Sequence, residues 1–288
     1  MINVLVTGGK GQLARCLNHL KSENIEIYFH FLDIDKLDIT DYELTFNYIE
    51  NNDLNFIVNC AAYTSVEKAE DEPNKAKMIN VLGLKNLIKI SEILKIKIIH
   101  ISTDYVFDGV VSEELKEDHE PNPLSVYGKT KLEGENLILN SNLEAIIIRT
   151  SWLFSPYGNN FVKSILNSSK SDESISVIRD QWGKPTFGLD LAKIIIELIN
   201  TVKSFENKIY HFSNKGVTNW YDFAKEIIEL SKSKTTVIPI NSSEYSAKVN
   251  RPKNVVLNTD LIETTLNLQI PNWKNSLKKC LNMINEQL

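Results

Sequence analysis

Cysteine is scarce in this chain, with three among 288 residues, and Cys16, Cys60 and Cys280 stand far apart. An odd, scattered set offers no disulfide framework and reads as a reduced, cytosolic protein. Basic charge is not in excess either: 32 Lys and Arg face 37 Asp and Glu, a formal charge of −5. That balance supplies no footprint for neutralising nucleic-acid phosphates, so neither DNA nor RNA is expected as a partner. No stretch approaches the roughly 18 unbroken apolar residues of a spanning helix, so no membrane association is expected. The opening Met-Ile-Asn-Val-Leu-Val-Thr-Gly lacks a basic n-region and reaches glycine too early for a signal peptide. Five histidines without metal-ligand spacing leave no metal site to expect. What remains is ordinary for a globular protein, 42% hydrophobic and 24% charged, at a length that suits one large α/β domain or two coupled ones.

Short apolar runs alternate with helical patterns through the first half, the signature of βαβ units on a parallel sheet. Strands are expected from Ile2 to Val6, Ile25 to Leu32, Asn55 to Asn59, Lys97 to Ile101 and Ala145 to Ile148. Helices are expected from about Gly11 to Lys21, Pro73 to Leu94 and Val126 to Leu139. Right-handed crossovers then set helices on both faces of the sheet. After about Trp152 the rhythm loosens, so residues 1–152 read as one domain and 153–288 mainly as a smaller lobe. Segments of about 186–214 are expected to return to the sheet.

The first turn carries a phosphate cradle. Gly8, Gly11 and the small Ala14 are spaced three apart, directly after the first strand and at the opening of the first helix. Glycine permits the tight turn and a close backbone approach to a pyrophosphate, and the helix N-terminus adds free N–H groups. Asp33 ends the second strand 25 residues after Gly8, where a carboxylate would take the ribose hydroxyls of a dinucleotide; Asp35 and Asp38 compete for that contact. Together these features point to a Rossmann-type, doubly wound α/β domain that binds a dinucleotide. Gly128-Lys129-Thr130 looks like the tail of an ATP-binding loop, but the glycine such a loop needs earlier is replaced by Pro123, which excludes an ATPase.

Tyr127 and Lys131 stand four apart, one helical turn on one face. Alone, that spacing is an ordinary surface pair. Read as chemistry, an ammonium within about 4–6 Å would lower a phenol by roughly 1–3 pKa units and ease proton exchange. Thr103 lies just beyond the fourth strand, at the carboxyl edge where open sheets bind ligands, and its hydroxyl could hold a substrate carbonyl. Hydroxyl, phenol and ammonium beside a nicotinamide make a carbonyl reductase.

At this point the chain resembles the extended short-chain dehydrogenase/reductases, and among them the branch that reduces 4-keto sugars linked to dTDP. The resemblance runs almost end to end and rests on ordered matches. These are Gly8-Gly-Lys-Gly-Gln-Leu13, Leu37-Asp-Ile-Thr-Asp41, Asn59-Cys-Ala-Ala-Tyr-Thr-Ser-Val-Glu-Lys-Ala-Glu70 and Ser102-Thr-Asp-Tyr-Val-Phe-Asp108. Val126-Tyr-Gly-Lys-Thr-Lys-Leu-Glu-Gly134, Arg149-Thr-Ser-Trp152, Gly158-Asn-Asn-Phe161 and Asp180-Gln-Trp-Gly-Lys-Pro-Thr186 follow, with Arg251-Pro252 and Trp273 near the end.

The resemblance implies NADPH- or NADH-dependent reduction of the C4 ketone of dTDP-4-dehydro-6-deoxy-L-mannose to dTDP-L-rhamnose, by a monomer or homodimer. On that basis Tyr127 donates a proton at C4, Lys131 binds the nicotinamide ribose, and Thr103 bonds the carbonyl. Gly8, Gly11, Gln12 and Leu13 would cradle the pyrophosphate and Asp33 the ribose. Asp38 and Ile39 would line the adenine pocket, while Ala61, Ala62 and Tyr63 would lie along the coenzyme. Thr103, Asp104, Trp152, Asn160, Gln181 and Arg251 would contact the nucleotide sugar, although Asn160 also suits a helix cap.

Some positions depart from the pattern. Ala14 stands for the usual third glycine, a change dinucleotide folds tolerate. Arg15 and Cys16 replace an acidic residue that some relatives associate with magnesium, and the loop Ser246 to Arg251 lacks that region's usual prolines. Sister dehydratases place Asp-Glu after the threonine, whereas here Asp104 precedes Tyr105, so elimination lacks its base. A reductase of another 4-keto-6-deoxy hexose, or a non-catalytic regulatory subunit of the same fold, are the other readings. Coenzyme choice stays open: Asp33 would repel a 2′-phosphate that Lys36 could attract.

Overall fold

The computed structural model describes residues 1–111, 113–201, 208–246 and 248–286, and at its centre lie six parallel strands. Five follow the apolar runs of the first half: β1 Ile2–Thr7, β2 Ile27–Leu32, β3 Phe56–Asn59, β4 Lys97–Thr103 and β5 Ala145–Thr150. The sixth, Lys208–Phe212, comes from the second half and pairs with β5. Across the sheet the order is β2, β1, β3, β4, β5 and then Lys208–Phe212. The direction of winding reverses between β1 and β3, and in such sheets the crevice beyond the strands' carboxyl ends at that reversal is where ligands bind.

Every residue of β3 and β5 is buried, whereas edge strand β2 buries only Ile27. Central parallel strands are covered on both faces and so need apolar side chains at consecutive positions, which is why they read as unbroken runs. The two faces separate by alternation. Val4, Val6, Val58, Ile99, Ile146 and Ile148 pack with α1 (Gln12–Leu20) and with a helix from the second half, Gly188–Thr201. Leu5, Ile57, Ile98, Ala145 and Ile147 point the other way. They meet Ile49 of α2 (Tyr42–Glu50), Leu84 and Leu87 of Leu84–Leu94, and Ile138 of Val126–Leu139.

The helix expected from Pro73 to Leu94 is three segments. After α3 (Val66–Asp71), α4 covers Pro73–Lys77, a π-helical turn runs Met78–Gly83, and α5 covers Leu84–Leu94. The π turn carries Asn80, which is bonded to both backbone groups of Tyr63 and to Thr130, so a tertiary contact sets the irregularity. Helix α6 is Val126–Leu139.

Beyond β5, Ser174–Ile178 pairs with Thr236–Ile240, and Trp182–Gly183 lies between Thr218–Asn219 and Asn254–Val255. Two more helices matter to the site, α7 (Phe161–Ser168) and Trp220–Ser231. Residues 202–207, within the stretch expected to return to the sheet, and residue 247, within the loop Ser246 to Arg251, lie outside the described residues. Among the described residues no helix is long and apolar enough to cross a membrane.

Candidate active site

A cleft of about 680 Å³ lies beyond the carboxyl ends of β1 to β5, a size in the range of cofactor and small-molecule sites. Its first wall is the glycine turn. Gly8 has φ +64°, and a Cβ there would meet the backbone of Ala61 at 3.0 Å; one on Gly11 would meet the Gly8 carbonyl at 3.0 Å. Gly11 is also the N-cap of α1 and brings no side chain to occupy the first N–H groups. Because Gly11, Gln12 and Leu13 line the cleft, those uncapped donors and the positive helix end form an anion cradle.

Asp33 is fixed against this turn. One carboxylate oxygen accepts from the Lys10 N–H at 2.7 Å and the other from the Ile34 N–H at 2.7 Å. Of its rivals, Asp38 lines the cleft with Ile39 and accepts from both the N–H and the hydroxyl of Thr40. Asp35 is instead paired with Lys10 Nζ at 3.0 Å and forms no part of the wall. Ala61 and Ala62 line the cleft, but Tyr63 does not. Its N–H donates to Asn80 and its phenol donates to Glu72 at 2.8 Å, which ties its side chain to residues outside the wall.

The opposite wall holds the groups expected to carry the chemistry. Ser125 caps α6, its Oγ accepting from the Gly128 N–H at 3.1 Å, while the Glu70 carboxylate accepts from the Val126 N–H at 2.8 Å. The helix then presses so closely on the turn after β4 that a Cβ on Gly128 would lie 2.2 Å from the Tyr105 carbonyl oxygen. This approach sets Tyr127 and Lys131 against Thr103 and Asp104, all four lining the cleft. Tyr127 is 9% exposed, its hydroxyl beside that of Thr103 and its ring edge-on to Tyr105.

Burial pushes the Tyr127 phenol above its ordinary pKa; Thr103 opposes the shift, while Asp104 and Tyr105 add to it. The expected lowering by Lys131 is therefore not found. The lysine amine is engaged elsewhere, with His100 Nε2 at 3.0 Å and the Ile101 carbonyl oxygen at 2.7 Å. Burial brings Lys131 down to about 8, against the pull of Glu135 and Cys60.

Asp104 is buried beside them, and desolvation lifts its carboxyl from 3.8 to about 7. A carboxyl raised by folding stabilises the protein fully below its unfolded value, and that contribution is lost as pH rises through about 7. Asp104→Asn removes this titration and keeps an acceptor for Thr103. Its thermal midpoint is expected to gain on the parent's between about pH 4 and 7 and to hold a constant lead above that. Calorimetry across that range checks it, and a difference that stays flat contradicts the buried carboxyl.

Toward the outer end, Trp152 sits in the left-handed region at φ +47° and stacks on Trp220 with ring centroids 3.7 Å apart. A Cβ on Gly183 would strike its indole at 2.9 Å. Thus clamped, Trp152 lines both the cleft and an adjoining recess that also holds Gln181 and Arg251. Arg251 donates through Nη2 to Glu67 at 2.9 Å, while its Nε is buried without a partner. A buried guanidinium nitrogen left unpaired beside a cleft suits an anionic oxygen from a ligand.

Of the two roles expected for Asn160, the structure shows the helix cap. It caps α7, accepting from the Lys163 N–H, and its amide donates to Gln12 at 2.9 Å and to the Ser155 carbonyl at 2.8 Å. Gly158 and Asn159 line the cleft in its stead, so Asn160 orients Gln12. Sequence reasoning missed Lys10, whose signal was its place inside the glycine turn, and Trp220, which had none.

Comparison with known proteins bears on this geometry. A family described as RmlD substrate binding domain matches residues 2–286. The dTDP-4-dehydrorhamnose reductase of Aggregatibacter actinomycetemcomitans is 38% identical over 287 residues, covering 96% of this chain and 98% of that protein. The solved dTDP-4-dehydrorhamnose reductase of Clostridium acetobutylicum matches with a TM-score of 0.93 at 38% identity, over 99% of this chain and 100% of that one. That of Bacillus anthracis, solved in complex with NADP, matches with a TM-score of 0.92 at 36% identity, over 98% and 99%.

Proposed function

The chain belongs to the RmlD substrate binding domain family, and from that membership we propose that it is a dTDP-4-dehydrorhamnose reductase. With NADPH or NADH it reduces the C4 ketone of dTDP-4-dehydro-6-deoxy-L-mannose to dTDP-L-rhamnose. The observation that carries the reading is a buried phenol beside a threonine hydroxyl, on the wall of a cleft whose other wall is a phosphate cradle with no capping side chain. On this reading residues 1–152 hold the coenzyme and 153–288 mainly the sugar, with the stretch 186–214 contributing to the sheet. Its substrate is a free nucleotide sugar, met in the cytosol, where the free thiols of Cys16, Cys60 and Cys280 are at home.

A dinucleotide fits the residues present: the uncapped turn Gly8 to Leu13 for its pyrophosphate, Asp33 for a ribose, Asp38 and Ile39 for adenine, and Ala61 and Ala62 along its length. When bound, the reduced nicotinamide supplies the hydride. The protein manages the charge that then grows on the C4 oxygen. A phenol held above its ordinary pKa is fully protonated near neutrality, so Tyr127 is resident as the acid and gives its proton to that oxygen. The Thr103 hydroxyl, which donates to Asp104 in this structure, turns to donate to the same oxygen, and both donors are worth more at a dry wall than in water. Lys131 holds the nicotinamide ribose. Trp152 flanks the sugar, and Gln181 and Arg251 serve the diphosphate side. Tyr105, packed edge-on to Tyr127, occupies the place where a dehydratase needs a carboxylate base.

The direct test is coenzyme oxidation with the keto-sugar, followed by loss of reduced-nicotinamide absorbance for NADPH and NADH separately. Turnover with either supports the reading, and turnover with neither ends it. Arg251→Ala is expected to raise KM for the nucleotide sugar about 10–100-fold, the worth of a charge-assisted hydrogen bond, with kcat changed little. Steady-state kinetics at saturating coenzyme checks this, and an unchanged KM removes Arg251 from the substrate side.

A further inference from the structure

Behind Lys131 runs a chain of side chains that the reaction as described does not use. Lys131 Nζ meets His100 Nε2 at 3.0 Å, His100 Nδ1 meets the Asn59 amide at 3.0 Å, and that amide meets the Thr7 hydroxyl at 2.6 Å. Thr7 Oγ1 in turn accepts from the N–H of Ala61 at 3.2 Å. The members come from the neighbouring strands β1, β3 and β4 and from α6, so the chain crosses beneath the floor of the cleft. Thr7, Asn59, His100 and Lys131 are each no more than 2% exposed, and of these four only Lys131 reaches the cleft wall.

Among side chains this buried, donors must face acceptors. An ammonium can only donate, so a charged Lys131 requires the lone pair on His100 Nε2 and the ring proton on Nδ1. That N–H needs an acceptor, which turns the Asn59 oxygen toward His100 and its NH2 toward Thr7. A neutral amine, which has a lone pair beside its two N–H groups, permits the reverse of every member. Nε2–H then donates to Nζ, Nδ1 accepts from the Asn59 NH2, and the Thr7 hydroxyl donates to the Asn59 oxygen. The amide orientation of this structure is the second one. Burial, aided by Lys131, holds His100 well below its ordinary pKa, so the ring is neutral in both states.

We propose that His100 is the positioning residue for Lys131. Its neutral ring lines no part of the cleft, aims the lysine nitrogen at the cleft wall, and exchanges tautomers with the Asn59 amide so that Lys131 can carry or release a proton with every buried group paired. The proposal rests on the reductase reading. The other groups acting on Lys131 are Glu135, one turn along α6 and held by Arg149 and Ser102, and the Cys60 thiol. Both favour the ammonium and are untouched by changes at His100.

His100→Phe keeps the ring and removes both nitrogens. In the coenzyme-free protein, the Lys131 Cε resonance, identified by its loss in Lys131→Met, is expected to titrate near 8 in the parent. In His100→Phe it moves down by about one pH unit, a tenfold change in proton binding, because the buried ammonium has lost its acceptor. The basic limb of kcat/KM moves with it. His100→Gln, whose carbonyl reaches the same amine, recovers most of the shift. An unmoved titration in His100→Phe, or a Gln variant no nearer the parent than Phe, overturns the proposal. If His100→Phe does not fold, Asn59→Leu serves: it strands the Nδ1–H that the charged state requires, so the titration again falls, and an unmoved one overturns the role. A parent protein that fails to oxidise coenzyme with the keto-sugar ends the reductase reading separately, because the resonance needs neither ligand.

Discussion

Tyr127→Phe is expected to fold as the parent does, to bind coenzyme, and to turn over the keto-sugar about 10²–10³-fold more slowly. The phenol ring packs against Tyr105 at a centroid distance of 5.7 Å, and phenylalanine keeps that contact. The hydroxyl removed is the one that lies beside Thr103 at the cleft wall. Water is a poor replacement, because the ring is 9% exposed and the neighbouring Thr103 only 5%. The elevated phenol pKa fits an acid that keeps its proton until an alkoxide, a far stronger base, forms beside it. The loss should fall on kcat, since the hydrogen bond strengthens as charge develops and contributes less in the ground state. Single-turnover rates, alongside thermal midpoints and coenzyme fluorescence, separate chemistry from folding and binding. Turnover near the parent's would leave Tyr127 without the acid role.

How much of this was legible in the sequence follows from the range over which each feature is decided. The doubly wound sheet was legible because central parallel strands must be apolar on both faces, and β1, β3, β4 and β5 announce themselves as runs. Helices α2 and α3 left no comparable trace, since α2 buries only Thr45 and Ile49 and α3 only Ala69. The π turn at Met78–Gly83 depends on Asn80 reaching Tyr63 and Thr130, contacts that no local window contains. In the cleft, the glycine turn could be read from spacing because its demand is on the backbone. Side chains whose surroundings come from distant segments could not. Trp220 meets Trp152 from 68 positions away, and His100 meets Lys131 from 31. Asn160 suited two roles equally in sequence, and the cap of α7 is the one in which its carbonyl is engaged. The Tyr127–Lys131 spacing spoke for a shared face but was silent on the acceptors at His100 and Ile101 that hold the amine.

Gly128→Ala is expected to cost more than its chemistry suggests. In an open helix the change would help, since alanine is favoured over glycine by about 1 kcal/mol in a helix interior. Here the new methyl would lie 2.2 Å from the carbonyl oxygen of Tyr105, a backbone atom of the short turn Asp104–Val106. Neither partner is a flexible side chain that could swing aside, so helix and turn must part by about 1 Å, an overpacking strain of about 1–3 kcal/mol. The turn follows Thr103 directly and α6 carries Tyr127, so the displacement opens the gap between the two donors proposed for the C4 oxygen. Misplacement on that scale costs about 10²-fold in rate. The expected result is a protein with a lower thermal midpoint and a kcat/KM reduced about 10²-fold. Lys129→Ala, at the neighbouring exposed position, should change neither. If Gly128→Ala matched that control in rate and midpoint, the close approach of α6 to the strand end would not be what holds phenol and hydroxyl together.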